Sequence, residues 1–217
     1  MIPLRDTQRS YSTPFVTMLI IAANAAAFLF ELSLDPWSRN HLIATYGLVP
    51  AQLHAVSFLT SMFLHGGWLH VIGNMWFLWI FGDNVEDILG HLQYLLFYVL
   101  CGLAASAAQM ALNPGSWVPT IGASGAIFGV MGAYLVKFPH SRILALVLIF
   151  VFEVPAAWFL LYWFILQVFN GAGALESSHA NLGVAWFAHV GGFLAGIVLG
   201  KILPTAKPYR QRTELYW

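Results

Sequence analysis

Six apolar stretches run along the chain, and each is close to the length of about 20 residues that a helix needs to cross a bilayer. They cover residues 15–34, 58–81, 92–112, 121–136, 154–169 and 182–203. A shorter apolar stretch, 143–152, is separated from the fifth by Glu153 and Pro155. We interpret it as a buried or interfacial loop, or as the start of a longer fifth helix. The pattern predicts an all-α, polytopic membrane protein with six transmembrane helices.

The composition agrees with a membrane protein. Of the 217 residues, 59% are hydrophobic and 8% are charged, whereas a soluble domain has roughly 25% charged residues. So few polar side chains cannot cover a water-soluble core. The sequence has no internal repeat and no Lys/Arg cluster of the kind that binds nucleic acid. We therefore predict one membrane domain, 1–217, with short tails at 1–13 and 204–217, and no nucleic-acid partner. The single cysteine excludes an internal disulfide.

The positive charges predict how the helices are oriented. The formal net charge is zero, but orientation depends on Lys and Arg near the helix ends. If the N-terminus is cytoplasmic, all of the nine Lys and Arg residues except Arg39 fall on the cytoplasmic side. Both termini are therefore predicted to be cytoplasmic, and we expect a plasma (inner) membrane.

A few polar side chains interrupt the apolar stretches, and three stretches place them at one depth. The second contains His65, His70 and Asn74, the fourth Ser124 and the sixth His189. Alone, each is more often a packing residue than a functional one. The second, fourth and sixth helices run in the same direction, so a residue near the start of each lies in the outer half of the bilayer. A hydroxyl, an imidazole and an amide are thus predicted to lie at the same depth in the bilayer.

Small residues form matching stripes on the fourth and sixth helices. At 100° per residue one arc of the sixth helix holds Ala185, His189, Gly192, Gly196 and Gly200, and the fourth has Gly125, Gly129, Gly132 and Ala133. Such stripes let two helices approach closely. Their contact would bring Ser124 and His189 within hydrogen-bond reach, with Phe128 placed to stack on the imidazole.

This combination predicts acyl-transfer chemistry. A serine hydroxyl becomes a good nucleophile when a histidine accepts its proton. The central parts of the second to sixth stretches contain no Asp or Glu, so we predict a dyad of Ser124 and His189 without a carboxylate. His70 and Asn74, with the backbone N–H of Ser124, are predicted donors to the oxyanion. No H-E-x-x-H motif or paired intramembrane aspartates occur, and we expect no metal and no cofactor.

Four segments resemble those of the rhomboid intramembrane serine proteases. They are "HGGWLHVIGNMW", "FGDNVEDILGH", "GASGAIFG" and "AHVGGFLAG", in that order, and the resemblance extends from about Gly47 to Gly200. It implies a six-helix rhomboid bundle with Ser124 as nucleophile and His189 as base. Residues expected to support the site are Gly122, Gly125, Phe128, Gly192 and Gly196. It also implies that residues 41–64 form a membrane-embedded loop, and that the fifth helix with loop 171–183 is a gate.

The resemblance further implies substrates that are single-span membrane proteins, cut in or near the outer leaflet. Besides these substrates the lipid bilayer is the expected partner, and the oligomeric state is open. Two other interpretations stay open at this point. One is a non-catalytic rhomboid-like protein that binds transmembrane helices, and the other is a small channel or transporter.

Overall fold

The computed structural model describes residues 1–52, 54–176 and 185–206, most of which are helical. Eight α-helices and three β-strands lie in these residues. The helices are α1 Phe15–Ser33, α2 Pro36–Tyr46, α3 Ser57–Thr60, α4 Trp68–Leu89, α5 His91–Leu112, α6 Ser124–Lys137, α7 Ala156–Glu176 and α8 Trp186–Ile202. The strands are β1 Ile2–Asp6, β2 Arg142–Val147 and β3 Phe150–Pro155. The predicted loop 171–183 is helical as far as Glu176, and the rest of it lies outside the described residues.

Three of the described helices are long and apolar enough to cross a membrane, namely α1, α5 and the part of α7 from Ala156 to Gly173. Helices α6 and α8 are apolar but shorter. The second apolar stretch is not one helix. Its first part forms α3 and a 3₁₀ turn, Ser61–Phe63, and α4 begins at Trp68 after an extended Gly67. The crossing of all six helices and the side of the termini stay predictions.

The expectation of an all-α fold is wrong at stretch 143–152, which is neither a loop nor the start of a helix. Strands β2 and β3 form an antiparallel hairpin in which Arg142 lies opposite Pro155. Strand β1 pairs antiparallel with β2, with Asp6 opposite Ile143. The stretch is rich in β-branched and aromatic residues, which favour strands, and Pro155 disfavours a helix in the residues before it. The predicted N-terminal tail thus contains a strand of this sheet.

Asp6 attaches the sheet to the helices. Its carboxylate accepts hydrogen bonds from the Asn84 amide at 2.9 Å and from the Tyr134 hydroxyl. Trp76 Nε1 also donates to the carbonyl oxygen of Pro3 at 2.6 Å. Burial raises the pKa of Asp6 well above its ordinary value. Its stabilising contribution is therefore present at low pH and is lost as the pH rises through that raised pKa.

Acidic residues near the end of α4 hold the start of α1. The backbone N–H groups of Val16 and Thr17 each donate to the carboxylate of Glu86 at 2.8 Å. Just before them, the N–H groups of Tyr11 and Ser12 donate to Asp87 at 3.0 Å. The first N–H groups of a helix lack partners within it, and that end of the helix dipole attracts negative charge. The buried Glu86 therefore fixes α1 beside α4.

The closest helix contact joins α6 and α8 through their glycines. A Cβ atom at Gly192 would overlap the carbonyl oxygen of Gly125, and one at Gly196 would overlap that of Gly129. On the other helix, a Cβ at Gly132 would overlap the carbonyl oxygen of Phe193. The two backbones therefore touch along both helices. This contact sets how near side chains at the starts of α6 and α8 can come to each other.

We expect Gly196→Ala to destabilise the protein because the added methyl group must push α8 away from the α6 backbone. Overpacking of this kind costs typically about 1–3 kcal/mol. The measurement is the midpoint of thermal unfolding in detergent micelles. Gly173→Ala on α7 is the matched control, since no atom of the described residues lies within 4 Å of a Cβ there. Equal midpoints for the two variants would contradict the close contact.

Candidate active site

Ser124 is the first residue of α6, and the chain before it fixes its position. Gly122 has a φ of +119°, a backbone conformation that favours glycine. Its N–H donates to the carbonyl oxygen of Ser61 at 2.8 Å, and Thr120 forms two backbone hydrogen bonds with Leu48. Because Ser124 opens the helix, its own N–H has no intrahelical partner. The hydroxyl and an N–H without an intrahelical partner therefore lie together at this helix end.

His189 meets Ser124 across the contact between α6 and α8. The distance from Ser124 Oγ to His189 Nε2 is 2.7 Å. The imidazole stacks on Phe128, with ring centroids 4.5 Å apart and an interplanar angle of 10°. His189 lies in the first turn of α8, and Phe128 lies one turn beyond Ser124 on α6. The hydroxyl proton can pass directly to the ring, whose plane is held by Phe128.

A third side chain, which the sequence analysis missed, completes this arrangement. Gln167 on α7 places its amide oxygen 2.7 Å from His189 Nδ1. Its amide nitrogen donates to the carbonyl oxygen of Trp163 at 3.2 Å. Gln167 lies inside the fifth apolar stretch, so a polar residue within that stretch was the signal that could have found it. The histidine is therefore bonded through both of its ring nitrogens.

His70 presents a donor to the same site. The N–H of Gly66 donates to His70 Nδ1 at 3.3 Å, so in the neutral ring Nε2 carries the hydrogen. This Nε2 lies next to Gly122, where a Cβ atom would be 2.7 Å from it. A side chain at position 122 would therefore displace His70. Glycine is required there by contact as well as by φ.

Asn74, one turn after His70 on α4, is oriented by His65. His65 Nδ1 lies 3.2 Å from the carbonyl oxygen of Phe63, which can only accept, so Nδ1 carries the hydrogen. Its Nε2 then accepts from Asn74 Nδ2 at 3.1 Å. The same Nδ2 would lie 3.4 Å from a Cβ at Gly122. One N–H of the Asn74 amide is therefore bonded to His65, and the amide nitrogen lies beside the loop that leads to Ser124.

The sequence analysis also missed the support behind His65. Glu31, buried near the end of α1, accepts a hydrogen bond from the N–H of His65 at 2.9 Å. Arg39 donates to the carbonyl oxygen of His65 at 3.2 Å and lies 3.7 Å from the Glu31 carboxylate. Glu31 lies in the first apolar stretch, outside the stretches in which carboxylates were sought. The backbone of His65 is thereby held on both sides.

A cavity of about 310 Å³ joins these groups between α4, α6, α7 and α8. Its polar lining consists of His70, Asn74, Ser124 and His189, and its apolar lining includes Phe77, Phe128, Met131 and Trp163. The volume is at the lower end of the range of ligand pockets, about 300–1,000 Å³. The polar groups predicted from three different helices therefore share one cavity. Gly125, Gly192 and Gly196 lie in the helix contact beneath it.

The model of the Rhomboid domain matches residues 52–205, a range that includes His65, His70, Asn74, Ser124 and His189. The chain belongs to the rhomboid family. This rhomboid thus has its serine and histidine in the part of the chain that defines the family.

Several curated proteins are similar to this rhomboid. Presenilin-associated rhomboid-like protein, mitochondrial, of Bos taurus is 31% identical over 184 residues, which cover 82% of this chain and 46% of that protein. Rhomboid protein 1, mitochondrial, of Saccharomyces cerevisiae is 34% identical over 169 residues, covering 72% and 44%. Rhomboid-like protein 11, chloroplastic, of Arabidopsis thaliana is 29% identical over 190 residues, covering 82% and 64%. The chain spans about half the length of the curated relatives it matches.

These names correct the expected location of this rhomboid. The sequence analysis expected a plasma membrane, whereas the relatives are named as mitochondrial or chloroplastic. The expectation of a plasma membrane is therefore wrong, and the names point to an organelle instead. That expectation rested on the distribution of Lys and Arg residues. This distribution predicts on which side of a membrane each helix end lies, but it does not identify the compartment.

Proposed function

We propose that this rhomboid is an intramembrane serine endopeptidase that cleaves transmembrane segments of single-span membrane proteins. The observation that carries the proposal is the 2.7 Å contact between Ser124 Oγ and His189 Nε2. The contact lies at a cavity that also holds His70 and Asn74. Nucleophile, base and oxyanion donors are the parts that acyl transfer requires.

The reaction begins when Ser124 Oγ attacks the carbonyl carbon of the scissile peptide bond. Its proton moves to His189 Nε2, and the carbonyl electron pair moves onto the oxygen. When the tetrahedral intermediate collapses, the C–N bond breaks and the leaving amine takes the proton from Nε2. An ester then joins Ser124 to the acyl part of the substrate. Water hydrolyses this ester by the same steps, with Nε2 accepting and returning a proton.

The developing oxyanion needs hydrogen-bond donors in place before the reaction. His70 Nε2–H and the amide of Asn74 lie on one side of Gly122, and the Ser124 N–H lies at the start of α6. All three groups are uncharged donors. They can stabilise the oxyanion without the cost of burying an ion in the membrane.

In the proposed topology α1, α4, α5, α6, α7 and α8 cross the membrane, with both termini on one side. Ser124, His189 and His70 all lie in the first turn of α6, α8 or α4. These three helices begin on the side opposite the termini, so the catalytic groups lie in that half of the membrane. The names of the relatives support a membrane of an organelle as the location. We expect substrates whose helix is easily unwound there, for example by Gly or Pro.

Covalent labelling tests this proposal. Purified protein in detergent is treated with a fluorophosphonate, and the modified residue is located by mass spectrometry. We expect the phosphonate on Ser124, with labelling lost in Ser124→Ala. Ser141→Ala, a buried serine beyond the other end of α6, is the matched control and should label fully.

The second part of the test uses proteoliposomes that contain a single-span substrate with Gly and Pro in its membrane segment. Cleavage within that segment is expected from the wild type and not from Ser124→Ala. Capture of the substrate without labelling or cleavage would assign the chain to the non-catalytic binding proteins instead. Flux of ions or solutes through the vesicle membrane, without labelling of Ser124 and without cleavage of the substrate, would assign the chain to the channels or transporters.

A further inference from the structure

The contact between Gln167 and His189 joins two different helices. Gln167 is 3% exposed on α7, although a lone glutamine in a membrane helix is usually costly. Both halves of its amide are occupied, the nitrogen by Trp163 within α7 and the oxygen by His189 on α8. The burial cost is therefore offset by two hydrogen bonds, and the second of these reaches the ring that contacts Ser124.

The partners of Gln167 determine where the imidazole hydrogen lies. The carbonyl oxygen of Trp163 can only accept, so the amide nitrogen must face it and the amide oxygen must face His189. That oxygen also can only accept, so His189 Nδ1 carries the hydrogen. Nε2 then has a free lone pair that points to the Ser124 hydroxyl. This is the tautomer that a general base needs.

We propose that Gln167 is a positioning residue that fixes the tautomer and orientation of His189. The inference rests on the proposed function for its effect on activity. The sequence predicted a dyad because no carboxylate was available, and the amide oxygen of Gln167 occupies the place that a carboxylate has in a triad. An amide accepts the Nδ1 hydrogen without adding a negative charge to the membrane interior.

Gln167→Leu removes the acceptor and keeps an apolar side chain of similar size. We expect kcat to fall about 10–100-fold, as for other residues that orient a functional histidine, with KM nearly unchanged. The assay is cleavage of the single-span substrate in proteoliposomes. Asn24→Leu on α1 is the matched control, because this buried amide also donates to the carbonyl oxygen four residues earlier, that of Ile20. It should keep full activity.

Gln167→Glu distinguishes positioning from packing, because it has the same shape. In its neutral form the new carboxyl group can donate to the Trp163 carbonyl oxygen while its other oxygen accepts the Nδ1 hydrogen. We expect activity to be restored relative to Gln167→Leu while the new carboxyl group is neutral, and to decrease at higher pH, where its ionisation would place a negative oxygen against the Trp163 carbonyl oxygen. Of the described residues that line the cavity, His70 on α4 is the other histidine. It is present in every variant, so it does not account for a difference between them.

A readout independent of activity separates this inference from the proposed function. In protein with ¹⁵N-labelled histidine, the His189 signals, assigned by their loss in His189→Gln, should show hydrogen on Nδ1 in the wild type. In Gln167→Leu they should show a mixture of tautomers. A different outcome is that the wild type is neither labelled by the fluorophosphonate nor able to cleave the substrate, while the tautomer still changes in Gln167→Leu. In that case the proposed function fails and the positioning role stands. An unchanged tautomer and an unchanged kcat in Gln167→Leu would overturn the positioning role.

Discussion

Removal of both Ser124 and His189 is expected to lower kcat no further than removal of either one. The two side chains act as one unit, because the hydroxyl reacts when the ring takes its proton across 2.7 Å. Each single alanine variant should lose about 10⁴–10⁶-fold in kcat, and Ser124→Ala/His189→Ala should lose no more. The measurement is the rate of substrate cleavage in proteoliposomes, corrected for protein-free vesicles.

The control for the histidine substitution is His140→Ala, an exposed histidine in the loop after α6. This variant should retain the wild-type kcat, and all variants should share the helical circular dichroism spectrum of the wild type. If the losses of the two single variants multiply in the double variant, the residues act independently. A base other than His189 would then serve Ser124.

The approach of Ser124 to His189 was predictable because helical periodicity determines both of their positions. Glycines spaced three and four residues apart predict which faces of two helices can touch, and the structure places those faces together. The polar residues predict the level of the site, since the three helices that carry them are predicted to run in the same direction. Neither step needs the exact ends of the helices.

Gln167 was not predictable in the same way. A single glutamine in an apolar stretch has no periodic partner, and its neighbour depends on how far α7 is rotated and shifted against α8. The sequence predicted the start of the fifth helix at residue 154, whereas α7 begins at Ala156. The residue at which a helix begins sets neither its rotation nor its shift against a neighbour, and a shift of two residues along the axis moves a side chain by about 3 Å. The partner of Gln167 therefore could not be assigned from spacing alone.

The sheet and the break before α4 were missed for a related reason. Strand β2 pairs with β1, almost 140 residues earlier in the chain, and a local pattern contains no information about that partner. In the second apolar stretch, His65, Gly66 and Gly67 interrupt the hydrophobic residues only briefly, so the whole stretch is long enough to be predicted as one helix. Apolar composition predicts burial in the membrane or core, whereas hydrogen-bond partners decide between strand and helix.

Replacement of His70 by alanine is expected to lower kcat about 10²–10³-fold, the usual effect of losing one oxyanion donor. KM should change less, because the donor acts on charge that develops in the transition state. Asn74→Asp should give a loss at least as large, since it removes the amide hydrogens and adds a negative charge beside the oxyanion. Both are measured as kcat and KM for the single-span substrate.

His65 provides the control for the role assigned to Asn74, because it holds that amide through Nε2 at 3.1 Å. His65→Ala should lower kcat less than Asn74→Asp, since the amide stays in the cavity but is no longer oriented. The double variant should be no worse than Asn74→Asp alone, because orientation has no effect once the donor is gone. If His70→Ala and Asn74→Asp both keep full kcat while Ser124 still labels, neither side chain stabilises the oxyanion. The Ser124 N–H at the start of α6 would then be the donor that acts in this site.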